Sequence, residues 1–319
     1  MNQSNIAPKY VGVDVSKAGL DCWKQSTRNQ GGSFKNFANS GKGINALLKW
    51  IPKGGHVVAE ATGGYEELLV CMSHNLGVPV SVVNPGGVRK FADAQGRHAK
   101  TDRLDAALIA RYAEVFKPAP APKPTKTQMA LAAHVDLREG LVNDRTSQLN
   151  RLDKETNPSL RAHLKEVIDC LGKTIAKIEK QIDSLIASCP KMTVLSRKLR
   201  RVPGIGPVIS STLIALLPEL GTLSRKEVAA LCGLAPYARD SGKKKGKRYI
   251  TGGRAKLRRR LYMGATALLR TRTPLATQYK AMLAKGKLKM VALIAVARKL
   301  AILANSICKP FASLEYADT

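Results

Sequence analysis

The chain has 319 residues, 44% hydrophobic and 24% charged, enough for two or three domains with real cores. A formal net charge of +30 excludes an ordinary balanced surface and points to a polyanionic partner, most simply nucleic acid. The charge is uneven: residues 191–319 carry 27 Lys and Arg against 5 Asp and Glu, residues 1–125 carry 16 against 9, and residues 126–190 carry 10 against 9.

Residues 10–15 read as a strand, linked through Ser16-Lys-Ala-Gly19 to a second over 20–25, and residues 33–37 read as a third. Residues 43–51 have helical spacing (Ile44, Leu47, Leu48), 56–60 form a buried strand, 65–75 a helix and 78–83 another strand. Asn84-Pro-Gly-Gly87 reads as a break, and a helix follows over about 101–116. The proline-rich stretch 117–124 reads as a spacer, with a boundary near residue 120. Two long helical stretches come next, broken at Asn157-Pro158. In the second, Leu164, Ile168, Leu171, Ile175, Ile178, Ile182 and Leu185 form a 4-3-4 seam. The seam fits a helical hairpin within the chain or a pairing surface between subunits. After Cys189-Pro190 a compact helical segment runs to about residue 312, and 313–319 reads as a tail. Six cysteines without a Cys-x-x-Cys pair and five scattered histidines give neither a disulfide framework nor a zinc pattern. The first residues lack an apolar signal core, and no 18-residue apolar run is expected, so the expected location is the cytoplasm.

Four acids stand out. Asp14 lies among Val11, Val13 and Val15, where a buried carboxylate is costly without a cation. Glu60 ends the run His56-Val-Val-Ala-Glu60, and Asp102 and Asp105, spaced i, i+3, share a helix face. Three strands followed by alternating helix and strand is the ribonuclease-H-like order, in which the first strand neighbours the fourth, so Glu60 is expected beside Asp14. Clustered oxygen ligands favour Mg²⁺ or Mn²⁺. Two such ions activate a nucleophile and stabilise the leaving oxygen at a phosphodiester. A helix N-terminus alone would also favour Asp102 and Asp105 through its dipole.

Two downstream segments add to this. Arg201-Val-Pro-Gly-Ile-Gly-Pro-Val-Ile-Ser210 has the form of a helix-hairpin-helix turn. The N–H groups of Gly204 and Gly206, with the next helix N-terminus, suit a phosphate. A plain helix–helix turn fits the same residues. Residues 239–260 hold eleven Lys and Arg and one acid. They include Ser241 and the candidate nucleic-acid contacts Lys243, Lys244, Lys245, Lys247, Arg248, Arg254, Arg258 and Arg259. The glycines suggest a loop up to Gly253 and a helix from about Arg254. A serine there could attack a phosphate with cations around the developing charge, although no histidine is near to serve as its base.

Gly-Val-Asp-Val-Ser-Lys, Ala-Glu-Ala-Thr-Gly-Gly-Tyr, Asn-Pro, Lys-Thr-Asp-Arg-Leu-Asp-Ala, Pro-Gly-Ile-Gly, Gly-Leu-Ala-Pro and Asp-Ser-Gly…Leu-Arg-Arg-x-Leu-Tyr occur in this order. With them the chain resembles the DEDD transposases of bacterial insertion sequences, the "IS one-ten" family, which includes the pilin-gene invertases. The resemblance covers nearly the whole chain. It implies an α/β RuvC-like (ribonuclease-H-like) domain over residues 1–120, with Asp14, Glu60, Asp102 and Asp105 as the Mg²⁺-binding acids. It implies a helical coiled-coil linker over 121–190. It implies a mainly α C-terminal domain over 191–312, with a helix-hairpin-helix motif and Ser241 as nucleophile. It further implies target and donor DNA as substrates, a structured non-coding bridge RNA as guide, a homodimer joining into a homotetramer, and a place at the bacterial nucleoid. The expected activity is RNA-guided DNA recombination through a covalent serine–DNA link. A metal-only RuvC-like junction nuclease and a non-catalytic basic nucleic-acid-binding protein are the alternatives.

Overall fold

Apolar alternation in the first third produces a mixed sheet with helices on both faces. In the computed structural model, which describes residues 9–25, 31–96, 102–238, 240, 246 and 248–312, the chain divides into two compact units, Met1–Lys123 and Pro124–Thr319.

The first unit runs β1 (Lys9–Val15), β2 (Gly19–Gln25), β3 (Gly32–Ala38), α1 (Gly41–Trp50), β4 (Gly55–Glu60), α2 (Glu67–Asn75), β5 (Val80–Val83), α3 (Pro85–Ala94) and α4 (Asp102–Phe116). The sheet order is β3-β2-β1-β4-β5. The pairs β1–β2 and β2–β3 are antiparallel, and β1–β4 and β4–β5 are parallel. One face buries Val11, Val13, Val15, Val57 and Ala59 with Ile44 and Leu47 of α1 and Leu69 of α2. The other buries Tyr10, Val58 and Val83 with Val88 of α3 and Leu108, Ile109 and Ala113 of α4. This is the period-2 alternation of a sheet covered on both sides.

The expected break at Asn84-Pro-Gly-Gly87 is instead the start of α3. Asn84 is its N-cap, its side chain accepting from Gly86 N at 2.8 Å, and Pro85 takes the first helical position. The proline-rich stretch also does more than separate domains. Ala121 N donates to Val80 O at 2.8 Å, and Ser81 Oγ donates to Ala119 O at 2.7 Å. Residues 118–121 therefore lie along β5, covering an edge strand with a segment poor in free N–H groups.

The second unit is mostly helical: α5 (Lys126–Lys154), α6 (Pro158–Ser188), α7 (Pro190–Leu199), α8 (Pro207–Leu216), α9 (Arg225–Leu231), a two-stranded ribbon β6 (Pro236–Tyr237) and β7 (Tyr249–Ile250), α10 (Ala255–Leu268), α11 (Pro274–Ala284) and α12 (Lys289–Cys308). Helices α5 and α6 pack as a hairpin. Of the seam, Ile168, Ile175, Ile178 and Ile182 are buried, with Leu131 and Val135 buried on α5, while Leu149 near the hairpin tip is exposed. Arg138 of α5 and Glu179 of α6 pair at 2.6 Å across it. Helix α12 lies within a 23-residue helical stretch containing an 18-residue window of mean hydropathy 1.8, enough by length and composition to span a bilayer. This corrects the expectation that no 18-residue apolar run occurs: Arg298 and Lys299 fall within the stretch, but the window averaged across them stays apolar. Half of its apolar window is buried inside this unit, where Val296, Ala297 and Leu300 join the main core, as in a core helix.

Candidate active site

The sheet register brings two of the expected acids together. Val13 of β1 pairs with Ala59 of β4, so Asp14 and Glu60, each one residue further, stand side by side at the C-terminal ends of neighbouring parallel strands. Strands are about 4.8 Å apart, so the two carboxylates share one neighbourhood. Asp14 is in phase with Tyr10 and Gly12, and Glu60 with Val58. Tyr10 and Val58 belong to the cluster that includes α4, so both acids lie on the face that α4 covers.

Gly12 sets how close that helix comes. A Cβ there would sit 2.1 Å from Ala106 O and 2.5 Å from Ala110 N, so strand and helix backbones touch. Tyr10 clusters with the later residues Ile109 and Ala113 of α4. The first turn of α4, bearing Asp102 and Asp105, therefore lies toward the Asp14 end of β1. Asp105 is half-buried; Asp102 is the first residue of α4, and its side chain lies outside the described residues. Among the described residues no group of three or more His, Cys, Asp and Glu is arranged to hold a metal ion. The donor set is all carboxylate, the chemistry that suits a hard divalent cation.

Three residues of this site escaped the sequence reading. Asp21 is the register partner of Asp14 on β2, and Asn36 Nδ2 donates to its Oδ1 at 3.0 Å. Like charges directly opposite on adjacent strands repel, so Asp14, Asp21 and Glu60 on three neighbouring strands make an anionic face. Asn39 Nδ2 donates to Ser16 O at 2.9 Å and Tyr65 O at 3.0 Å, joining the loops that leave β1 and β4. Glu66 accepts from Thr62 N and Oγ1, each at 3.1 Å, and from Gly64 N at 2.9 Å, which fixes the loop directly after Glu60. Short-range turn chemistry of this kind is readable from Thr-Gly-Gly-Tyr-Glu; the Asn39 bridge, spanning 23 and 26 residues, is not.

In the second unit the turn between α7 and α8 holds Gly204 and Gly206. Gly204 has φ +88°, and a Cβ on it would meet Gly264 O of α10 at 2.6 Å, so packing against α10 is what excludes a side chain there. Gly206, N-cap of α8, faces open space. Asp240 accepts from Gly246 N at 2.9 Å and pairs with Arg248 at 2.8 Å, closing the base of the loop between β6 and β7. The Arg248 bond and the Gly246 N–H hold the Asp240 carboxyl below the ordinary carboxylate range. Ser241, Lys243, Lys244, Lys245 and Lys247 lie outside the described residues.

Like Arg248, three further arginines counted above as nucleic-acid contacts have intramolecular partners. Arg254 forks onto Glu219 at 2.8 and 2.7 Å and donates to Leu216 O at 2.9 Å. Burial raises the Glu219 carboxyl, but the hydrogen bond and charge of Arg254 outweigh it and leave the carboxyl below its ordinary value. Arg258 donates to Gly252 O at 2.7 Å, and Arg259 pairs with the buried Glu139 of α5 at 2.6 Å. With Lys256–Asp136 at 2.7 Å, these cations tie α10 to α5 and to the turns around it.

A family model described as a transposase, of the DEDD IS110 type, matches residues 11–156, and one described as the transposase IS116/IS110/IS902 family matches residues 196–280. The chain is 28% identical to the pilin gene-inverting protein of Moraxella lacunata, over 95% of this chain and 97% of that protein. The Moraxella bovis protein of the same name is likewise 28% identical over 95% of this chain and 97% of its own length. The transposase for insertion sequence element IS1111A of Coxiella burnetii is 24% identical over 82% of this chain and 78% of that protein. Carrying both domains of one transposase family in order, this chain belongs to the IS110-family transposases and is a DNA recombinase.

Proposed function

We propose that the chain recombines DNA with two chemical centres: a divalent-cation site formed by Asp14, Glu60, Asp102 and Asp105, and the nucleophile Ser241. The observation that carries the reading is the Val13–Ala59 register pair, which puts Asp14 and Glu60, one residue further, at the ends of adjacent strands on the face covered by α4. Carboxylates gathered so repel unless a cation offsets them, and Mg²⁺ bound there would polarise a phosphodiester for attack. Gly12 holds α4 against the sheet, and Asn39 and Glu66 hold the loops, so the acids are positioned before substrate arrives. Attack by the Ser241 hydroxyl exchanges one phosphodiester for a serine–DNA ester. The bond energy is kept, and a second strand end can displace the serine without an external energy source. In this reading a structured guide RNA supplies target choice by base pairing, and homodimers assemble into a tetramer. The resemblance supports both of these features.

The test is denaturing electrophoresis of labelled DNA after reaction in Mg²⁺. Ser241→Ala is expected to bind DNA yet form neither a protein-linked strand nor recombined product, and Asp14→Asn to bind without reacting. Wild-type cleavage that leaves free ends and no protein-linked DNA would replace this mechanism with a metal-only nuclease. Sequencing of copurified RNA tests the guide: one recurrent structured RNA is expected, and a random RNA background rejects guidance.

A further inference from the structure

We propose that the cleft between the C-terminal end of α6 and α7 binds the phosphodiester backbone of a nucleic acid through Arg197, Arg200 and Arg201; this rests on the nucleic-acid reading above. The cleft has a volume of about 480 Å³ and is lined by Asp183 on α6, by Thr193, Ser196 and Arg197 on α7, and by Arg200 and Arg201 in the turn that follows α7.

The cations of this unit fall into two groups. Arg138, Arg254, Lys256 and Arg259 each hold a carboxylate within 2.8 Å and serve the fold. Arg197, Arg200 and Arg201 are exposed, and among the described residues none forms a salt bridge, although Asp183 lines the same cleft. The cleft hydroxyls are engaged elsewhere: Thr193 Oγ1 donates to Ile186 O at 2.8 Å, and Ser196 Oγ accepts from Ser210 at 3.3 Å. Ser196 is also buried, so the three exposed guanidiniums are the cleft's charged donors, against a single acid. A helix C-terminus favours cations in its last turn, which accounts for a basic residue at Arg197 or Arg200. It does not account for three forks converging on one cleft. Arginine forks match phosphate oxygens in pairs, and Arg197 in the last turn of α7 and Arg201 just past its C-cap line the same cleft, so they can take neighbouring phosphates of a strand. Arg200 and Arg201 also lead directly into the turn at 202–206, whose Gly206 faces open space. The cleft therefore extends the phosphate-binding possibilities of that turn and is separate from the lysine-rich stretch after Ser241.

The full-length chain carrying R197A, R200A and R201A together is compared with wild type by binding of duplex DNA and of duplex RNA across a salt series. A second variant, K165A with K173A and K177A, removes the same charge from exposed positions of α6. The slope of log affinity against log salt is expected to fall by about 2–3 in the arginine variant and by less than about 1 in the lysine control. Lysine at the three arginine positions should keep the slope and weaken binding several-fold, because charge remains and the fork is lost. A loss confined to the DNA or the RNA arm supports the site and names its ligand. Equal slopes in the arginine variant and the lysine control, with wild type still binding, overturn this site and leave the recombinase reading standing. A wild-type chain that binds neither duplex overturns both. Unchanged melting temperatures are expected for all variants, since none of the six side chains is buried.

Discussion

Gly12 decides how near the helix carrying Asp102 and Asp105 comes to the strand carrying Asp14. The atoms a Cβ would strike, Ala106 O and Ala110 N, are backbone and cannot rotate away. Gly12→Ala is expected to push α4 off the sheet, lowering stability by about 1–3 kcal/mol and strand transfer by a larger factor than the melting shift alone explains. Thermal unfolding and a recombination assay at a temperature where the variant is folded check this; wild-type activity in a folded variant would show that α4 need not sit so close. At this scale the neighbouring of β1 and β4, whose ends carry Asp14 and Glu60, was legible, because strand alternation and the order of elements limit which strands can pair. The cations were not. Arg254 and Arg259 read as part of one basic run, but their partners Glu219 and Glu139 lie 35 and 120 residues away, a pairing that composition cannot reveal. Asp21 stayed hidden for a related reason: its importance comes from sitting opposite Asp14, which only the hairpin register supplies.

Among the elements, the helices begin where the chemistry says they should, and the one misreading shows why. Pro85, Pro158, Pro190, Pro207 and Pro274 each open a helix, and Asn84, Asn157 and Thr273 cap three of these with side-chain oxygens. Asn84-Pro85 was taken for a break because Gly86 and Gly87 follow it; the cap and the proline outweigh two glycines within one turn of an amphipathic segment. The α5–α6 hairpin is the element whose pattern was plainest, since a 4-3 repeat over three heptads has few other solutions. Its seam is buried within a single chain, with Ile175 9% exposed. Ile175→Asp places a charge in that seam and removes its apolar contacts, so a loss of about 3 kcal/mol or more is expected. Chemical denaturation reads the loss, and light scattering reads the assembly. Wild-type stability with a reduced mass would move the role of the seam from holding the hairpin to joining subunits.

Across the whole molecule, charge and chemistry are divided between the two units. Residues 1–123 hold 16 Lys and Arg against 9 Asp and Glu, and they contain the paired acids; residues 124–319 hold 37 against 14. The division falls inside the proline-rich stretch: residues 118–121 bind back onto β5, and the units part after Lys123. The asymmetry makes a quantitative expectation. In the proposed two-centre reading, the face carrying Asp14, Asp21 and Glu60 repels phosphate until a cation is bound, whereas the basic unit attracts it over a Debye length of about 10 Å in moderate salt. Arg138, Arg254, Lys256 and Arg259 are paired with carboxylates of the same unit, acids that its net charge of +23 already counts, against +7 for the first unit. Expressed separately, residues 124–319 should retain most of the non-specific DNA affinity of the full chain, with a log–log salt slope at least about twice that of residues 1–123, since each phosphate contact contributes about 0.9 to the slope. Adding Mg²⁺ should strengthen binding by residues 1–123, by offsetting the acids, while weakening binding by residues 124–319 through ordinary screening. Anisotropy titrations of both fragments, with and without Mg²⁺, measure the two effects together. Equal slopes would mean that the basic excess lies away from the DNA path, and a Mg²⁺ response of the same sign in both fragments would remove the cation from the acidic face.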